Sequence, residues 1–293
     1  MAARRAVRSR TVPPRPDIGW ILTGFADEAG PDLVEQIALF GELGLSALDL
    51  RSAWGKNVIS MSDAQITEAK RLLDAAGLAV SSVASPIGKI SILDEFGPHL
   101  AKAEHAARLA QVLGTPYVRV FSFFMPNGDD PDMHRDEVLR RMAALSDVAE
   151  RHDVVFVHEN EKDIYGDVPH RCVDIVESVG SSHLRLAFDP ANYVQCGVRP
   201  FTDAYAMVRP YIEYMHIKDA VFGTGDVRVA GEGEGEIREI VRALHADGFS
   251  GYFSIEPHLG SFDAFGGQCG PELWRRAHGG FVAMLSDEGV PFR

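Results

Sequence analysis

From residue 18 on, short runs rich in β-branched and aromatic residues alternate with segments whose apolar positions recur every three or four residues. The short runs lie near 19–26, 46–51, 78–85, 117–123, 153–159, 184–189, 211–217 and 252–257, each of strand length. Between them Leu33, Ile37, Phe40 and Leu43, then Val138, Met142, Leu145 and Val148, then Ile237, Ile240, Val241 and Leu244 put one apolar stripe on each helix. Gly77, Gly114, Gly180 and Gly248 stand where helices should stop, and Asp32, Ser62 and Thr202 where they should be N-capped. Eight such βα pairs predict a parallel sheet with helices outside it. We read one closed (β/α)8 TIM barrel over residues 18–293, with a doubly wound open sheet as the alternative, since alternation alone does not separate the two.

Composition narrows the function. With 46% hydrophobic and 24% charged residues the chain is globular, and no apolar run approaches the roughly 18 residues of a membrane helix. Residues 1–17 hold Arg4, Arg5, Arg8, Arg10 and Arg15 against Asp17, so this Arg/Pro-rich arm carries +4; the total of −13 then leaves −17 on the rest. The arm lacks the apolar face of a targeting helix and is read as disordered. An acidic body disfavours nucleic acid as a partner, and the expected partner is a small polar molecule, with no membrane contact and with self-association into a homo-oligomer left open. Cys172, Cys196 and Cys269 match neither a disulfide framework nor a CxxC site, so a reducing cytoplasm is the expected location.

The last four strands each close on an ionisable side chain: Glu159, Asp189, His216 and Glu256, separated by 30, 27 and 40 residues. A barrel of about 250 residues spends about 31 on each βα unit, so the four groups should converge at the C-terminal mouth. If Glu159 points inward, Val157 and Val155 share its side while His158 and Phe156 face the helices. Three carboxylates brought together repel one another, and a divalent cation resolves the repulsion. Three oxygen donors and one nitrogen suit one Mn²⁺, Mg²⁺, Co²⁺ or Zn²⁺ ion, and the donor set does not choose among them; Mn²⁺ is the cofactor expected.

These residues carry a family resemblance. His158-Glu159-Asn160-Glu161, Phe188-Asp189-Pro190-Ala191-Asn192, His216-Ile217-Lys218-Asp219, Gly231-Glu232-Gly233 and Ile255-Glu256-Pro257 resemble the xylose isomerase-like TIM barrels, also described as sugar phosphate isomerases and epimerases. That group includes sugar isomerases, ketose 3-epimerases, inosose dehydratases and apurinic endonucleases. The resemblance implies one metal held by Glu159, Asp189, His216 and Glu256, with Glu159 and Glu256 as acid and base on opposite sides of a sugar carbon. Many ketose epimerases of the group have His and Arg where this chain has Asn192 and Phe222.

Around this set, Lys218, His258, Asn192 and Lys162 are expected to bind substrate, and Asp219 to orient a metal ligand from behind. Glu161 and Tyr165 occupy a loop where barrel specificity residues belong, while Phe123, Phe124 and Trp54 are candidate pocket walls. Gly231-Glu232-Gly233-Glu234-Gly235 invites comparison with a phosphate loop, but its acids repel phosphate, and it is read as a flexible entry to the seventh helix. Lower down, Asp49, Arg119 and Arg185 alternate with apolar residues, and Asp49 is expected to pair with one of the arginines. The resulting reading is a metal-dependent isomerase or epimerase of a sugar or other polyhydroxylated carbonyl compound. The alternative is a lyase or dehydratase acting on an inosose or a 3-keto-glycoside, and the more distant one is a non-catalytic sugar-binding barrel. A nuclease is set aside on charge.

Overall fold

The computed structural model describes residues 18–263 and 266–293; the arm, with the expectation of its disorder, lies outside them. Eight parallel strands form the barrel: β1 (Trp20–Gly24), β2 (Ala47–Leu50), β3 (Ala79–Ile87), β4 (Tyr117–Val120), β5 (Val155–Glu159), β6 (Leu184–Phe188), β7 (Ile212–Ile217) and β8 (Gly251–Ile255). The ladder runs from β2 through β8 to β1 in chain order, and a parallel bridge between Phe25 and Asp49 joins its two ends. The expected barrel is therefore the observed one. An open doubly wound sheet would reverse strand order at a switch point, and this ladder does not.

The helices lie where the apolar stripes put them: α1 (Leu33–Glu42), α2 (Asp63–Ala76), α3 (Phe96–Leu113), α4 (Arg135–Arg151), α5 (Pro169–Val179), α6 (Pro190–Gln195), α7 (Ile237–Ala246) and α8 (Gly270–Asp287). Among the described residues none is long and apolar enough to cross a membrane. Asp32 accepts from Val34 and Glu35 N–H, and Ser62 forms a capping box with Gln65. Gly77, Gly114 and Gly180 end α2, α3 and α5 in the left-handed conformation, where a side chain would be strained. Thr202 caps nothing. It lies inside an irregular helical segment, Pro200–Tyr205, and donates its N–H (2.9 Å) and hydroxyl (2.6 Å) to Glu236, which stands before α7.

Strand alternation divides the core in two. Val157, Ala187 and Tyr214 fill the lumen with Tyr117 and Tyr252 packed against them, while Phe156, Phe188 and Phe253 belong to the larger layer between strands and helices. His158 faces outward as expected and is fully buried, and burial pushes its pKa down to about 4, so it sits there neutral.

Asp49 does not pair with an arginine. Its carboxylate accepts from the hydroxyls of Ser82, Tyr214 (2.8 Å) and Ser254 (2.7 Å) inside the lumen. Arg119 rises to the mouth instead, and Arg185 lies 3.9 Å from Glu213 and donates to the Pro210 carbonyl at 2.5 Å. Hydroxyls satisfy a buried carboxylate without burying a second charge, which is the less costly arrangement where the lumen is narrow. Replacing Asp49 by Ala strands these donors, and urea unfolding should report a loss of about 2–4 kcal/mol. A loss under about 0.5 kcal/mol, the scale of an ordinary surface change, would mean that the hydroxyls find other partners.

Candidate metal centre

The four strand-end residues meet. One donor atom from each of Glu159, Asp189, His216 and Glu256 lies within 4.8 Å of every other, and all four residues are buried. His216 Nδ1 is 3.3 Å from Glu159 Oε1, 3.7 Å from Glu256 Oε2 and 3.9 Å from Asp189 Oδ2, yet it has no hydrogen-bond partner. A buried imidazole nitrogen left open in the middle of three carboxylate oxygens is the donor set a divalent ion takes.

Local sequence explains how the groups are aimed. The Asn160 amide joins the ends of β5 and β6, donating to the Asp189 carbonyl and accepting from the Asp189 N–H, both at 2.9 Å. Asp189 then N-caps α6 through Oδ1, which accepts from Asn192 N–H at 2.9 Å, and Pro190 takes the first helical position, where a missing N–H costs nothing. That cap leaves Oδ2 facing His216. Asn192 Nδ2 donates to Glu159 Oε1 (3.1 Å) and to the Asn160 carbonyl (2.8 Å). The asparagine that replaces the histidine of many ketose epimerases therefore holds the first glutamate.

Each glutamate also has an arginine of its own. Arg119 Nη1 is 3.1 Å from Glu159 Oε2, and Arg51 Nη1 is 3.7 Å from Glu256 Oε1. Both guanidinium carbons lie over the Phe25 ring, at 4.9 and 4.8 Å, and the same ring meets His216 edge-on. Arg51 is held in turn by Asp27 (2.8 Å) and Glu28 (3.3 Å). Lys218 Nζ bridges Asp189 Oδ2 (2.8 Å) and Glu256 Oε2 (2.9 Å). The buried carboxylates Asp27, Glu28, Glu159, Asp189 and Glu256 thus face the cations Arg51, Arg119 and Lys218. With His216 neutral, as a metal ligand must be, two negative charges are left over, which one divalent ion would cancel.

The protonation equilibria follow this layout. Burial alone would raise Glu159, but His216 and Arg119 outweigh it and hold its pKa at about 2. Glu256 is likewise held well below the usual range, against burial, chiefly by Lys218. Asp189 goes the other way: burial and the two neighbouring glutamates raise it to about 6 although Lys218 opposes them. His216 is raised, because Glu159 beside it outweighs burial.

Above the centre lies a cavity of about 400 Å³, whose lining includes Asn192, Lys218, His258, Lys162, Glu161 and Phe124. All four residues expected to bind substrate are on its wall. His258 Nδ1 lies 2.8 Å from Glu28 and 3.6 Å from Glu256, and its ring stacks on Phe262 at 3.9 Å. Tyr165 and Phe123 are buried in the core instead, with the Tyr165 hydroxyl donating to Asp174, and Trp54 packs against that core from its edge.

Asp219 does not orient a ligand. Its carboxylate accepts from the N–H groups of Gly231 (2.8 Å), Gly233 (3.0 Å) and Gly235 (2.7 Å). A Cβ at Gly233 or Gly235 would run into that carboxylate, so the alternating glycines wrap an internal anion. The loop is pinned rather than flexible, and its amides are already taken. The groups that sequence reasoning passed over as site residues are Arg51, Asp27, Glu28 and Lys89. Arg119 was visible as a buried charge, but its link to Glu159 was not.

A family profile described as xylose isomerase-like TIM barrel matches residues 37–277. A 2-epi-5-epi-valiolone 7-phosphate 2-epimerase of Actinoplanes sp. is 28% identical over 194 residues, 65% of this chain and 68% of that one. Among solved structures, a D-tagatose 3-epimerase-like protein superposes with a TM-score of 0.76 at 16% identity, over 92% of this chain and 100% of that one. A xylose isomerase-like TIM barrel protein from Mycobacterium smegmatis, in complex with magnesium, gives 0.63 at 24% identity over 91% and 97% of the two chains.

Titration calorimetry of metal-stripped protein with Mn²⁺ should give one site per chain, and His216→Ala or Asp189→Ala should abolish it. Protons compete for Asp189, raised to about 6, and for His216. Affinity should therefore fall as pH drops from 8 to 5, by up to about tenfold per unit for each proton displaced. Affinity that stays flat across this range, or survives both substitutions, would place the ion elsewhere.

Proposed function

The chain belongs to the xylose isomerase-like TIM barrel family, and from that premise we propose that it is a divalent-metal-dependent isomerase or epimerase of a sugar or another polyhydroxylated carbonyl compound. The observation that carries the reading is the placement of Glu159 on β5 and Glu256 after β8, each turning one oxygen to His216 and the other to its own arginine. Held by Glu159, Asp189, His216 and Glu256, a divalent ion would supply the positive charge that makes a C–H beside a carbonyl acidic enough to ionise.

The chain's own groups do the rest. With the arginines and Lys218 keeping both glutamates ionised, either carboxylate can accept the proton from carbon. The glutamic acid so formed can return that proton to the same carbon or its neighbour; delivery to the opposite face falls to the other glutamate, on a different strand, which must first take a proton from solvent while the first carboxyl releases its own. Asn192 and Lys218 fix the carboxylates in place and line the cavity that receives the substrate, so a bound ring is oriented by the groups that hold the bases. The pairing of each glutamate with a fixed cation limits the geometries it can adopt.

A second reading has a specific observation behind it. Lys218 and His258 stand on either side of Glu256, at 2.9 and 3.6 Å, and both line the cavity. After the same proton abstraction one of them could protonate a departing hydroxyl or glycosidic oxygen, which makes the protein a lyase or dehydratase of an inosose or 3-keto-glycoside. Within this proposal the partner is a small sugar or cyclitol, and the cytoplasm is its setting.

Incubation with ketohexoses, inososes and 3-keto-glycosides in deuterium oxide separates the two. For an epimerase, Glu159→Gln and Glu256→Gln should each lower net conversion by about 10²- to 10⁴-fold, with solvent exchange surviving only on the face served by the remaining glutamate. For a lyase only the abstracting glutamate is needed for exchange. Full turnover by both variants at saturating metal would remove the glutamates from the chemistry.

A further inference from the structure

The cavity above the metal centre holds cationic side chains that could take a phosphate, and each is already engaged or flanked by acids. Lys218 is bridged between Asp189 and Glu256, and His258 faces Glu28 at 2.8 Å. Lys162, exposed at the rim, stands between Glu161 and Asp163 in the chain, and all three line the cavity. Lys89 reaches from the loop after β3 and meets Glu161, from the loop after β5, at 3.1 Å; their side chains are only 10% and 17% exposed. The Lys89 ammonium also lies 4.4 Å over the Phe121 ring. The N-terminus of α6, which abuts the site, is capped by Asp189.

A phosphate ester entering this space would lose its water and find its inner cations already paired, with only Lys162 at the exposed, solvent-screened rim left to it. A neutral polyol meets something different: the ammonium as donor, the glutamate as acceptor, and the apolar faces of Phe124 and Phe262, the mixture that suits a ring with hydroxyl edges and C–H faces. We propose that Glu161 is a specificity element of this cavity: by neutralising Lys89 it denies a phosphate ester that cation, so that the cavity selects an uncharged polyhydroxylated ring over the same ring carrying a phosphate ester. This rests on the reading of the chain as an enzyme of polyhydroxylated carbonyl compounds. It also sets the chain apart from the Actinoplanes relative, whose name specifies a 7-phosphate.

The test is calorimetric binding to the full chain at saturating Mn²⁺, using D-fructose against D-fructose 6-phosphate and myo-inositol against myo-inositol 1-phosphate. The wild-type protein should bind the neutral member of a pair more tightly. Glu161→Gln removes one negative charge from the wall beside Lys89 and should shift the ester-to-polyol ratio toward the ester by about tenfold or more. Lys89→Gln combined with Glu161→Gln removes the pair without changing net charge and should return the ratio to that of wild type. Comparing variants cancels direct contact between phosphate and the metal, which is common to all of them, and one Mn²⁺ per chain verifies that each variant is folded. A wild-type preference for the esters, or a ratio that does not move in Glu161→Gln, overturns the proposal while leaving isomerase chemistry intact. If turnover of an unphosphorylated ketose is seen with no such shift, the proposal alone fails; if no ring or ester binds any of the three proteins, it falls together with the functional reading.

Discussion

Repulsion among carboxylates is the constraint around which the barrel mouth is built. Glu159, Asp189 and Glu256 are each almost wholly buried and bring their oxygens within a few ångströms of His216. In a medium of low effective dielectric, like charges at such spacing cost far more than they do in water. The surrounding chain answers with fixed cations: Arg119 on Glu159, Arg51 on Glu256, and Lys218 across Asp189 and Glu256. These compensate most of the charge but leave His216 Nδ1 without a hydrogen-bond partner among three carboxylates, a space that could hold a metal ion. Asp27 and Glu28 extend the same logic outward, since they hold Arg51 and would otherwise be unpaired acids themselves.

The fold supplies this arrangement because parallel strands all end at one rim. Loops at that rim would ordinarily be the most mobile part of the molecule, and here buried polar side chains tie them down. Asn160 extends the β5–β6 ladder by one side-chain rung, Asp189 serves at once as helix cap and candidate ligand, and Asp219 gathers three glycine amides of the loop that precedes α7. Asp189 and Asp219, which sequence patterning assigns to chemistry, thus each carry a structural task. A substitution at such a position would therefore change both geometry and stability, and the two effects need separate measurements.

Strand-end chemistry was legible in the sequence because it is local: an apolar run closing on Glu, Asp or His, repeated at the spacing of one βα unit, needs no knowledge of distant partners. The pairings were not legible, because each joins side chains on different strands, whether neighbours in the ladder or far apart in the chain. Nothing around Arg51 announces that Glu256 will lie against it, and the expectation that Asp49 needed an arginine overlooked hydroxyl donors on β3, β7 and β8 that single-strand alternation does not bring together. The Gly-Glu-Gly-Glu-Gly loop misled for a related reason. Its glycines suggest freedom when read alone, but at Gly233 and Gly235 any side chain would collide with the Asp219 carboxylate. Thr202 looked like a cap by residue type, and its hydroxyl went to Glu236 across the next loop.

The same separation bears on how one site can belong to a family of diverse reactions. Proton abstraction beside a carbonyl requires a base, compensating charge and a held substrate, and all of these come from the strand ends. The fate of the resulting carbanion depends on which groups stand around the substrate: a second glutamate leads to reprotonation, whereas a proton donor beside the leaving group leads to elimination. In this chain Glu256 has Lys218 on one side and His258 on the other, and His258 is fixed by Glu28 from β1's loop. Under the proposed function, reaction outcome and substrate charge would therefore both be set by residues one layer out from the four strand-end groups. Those residues lie on loops that can vary without disturbing the barrel, which is why the strand ends identify the family and the loops must be read for the reaction.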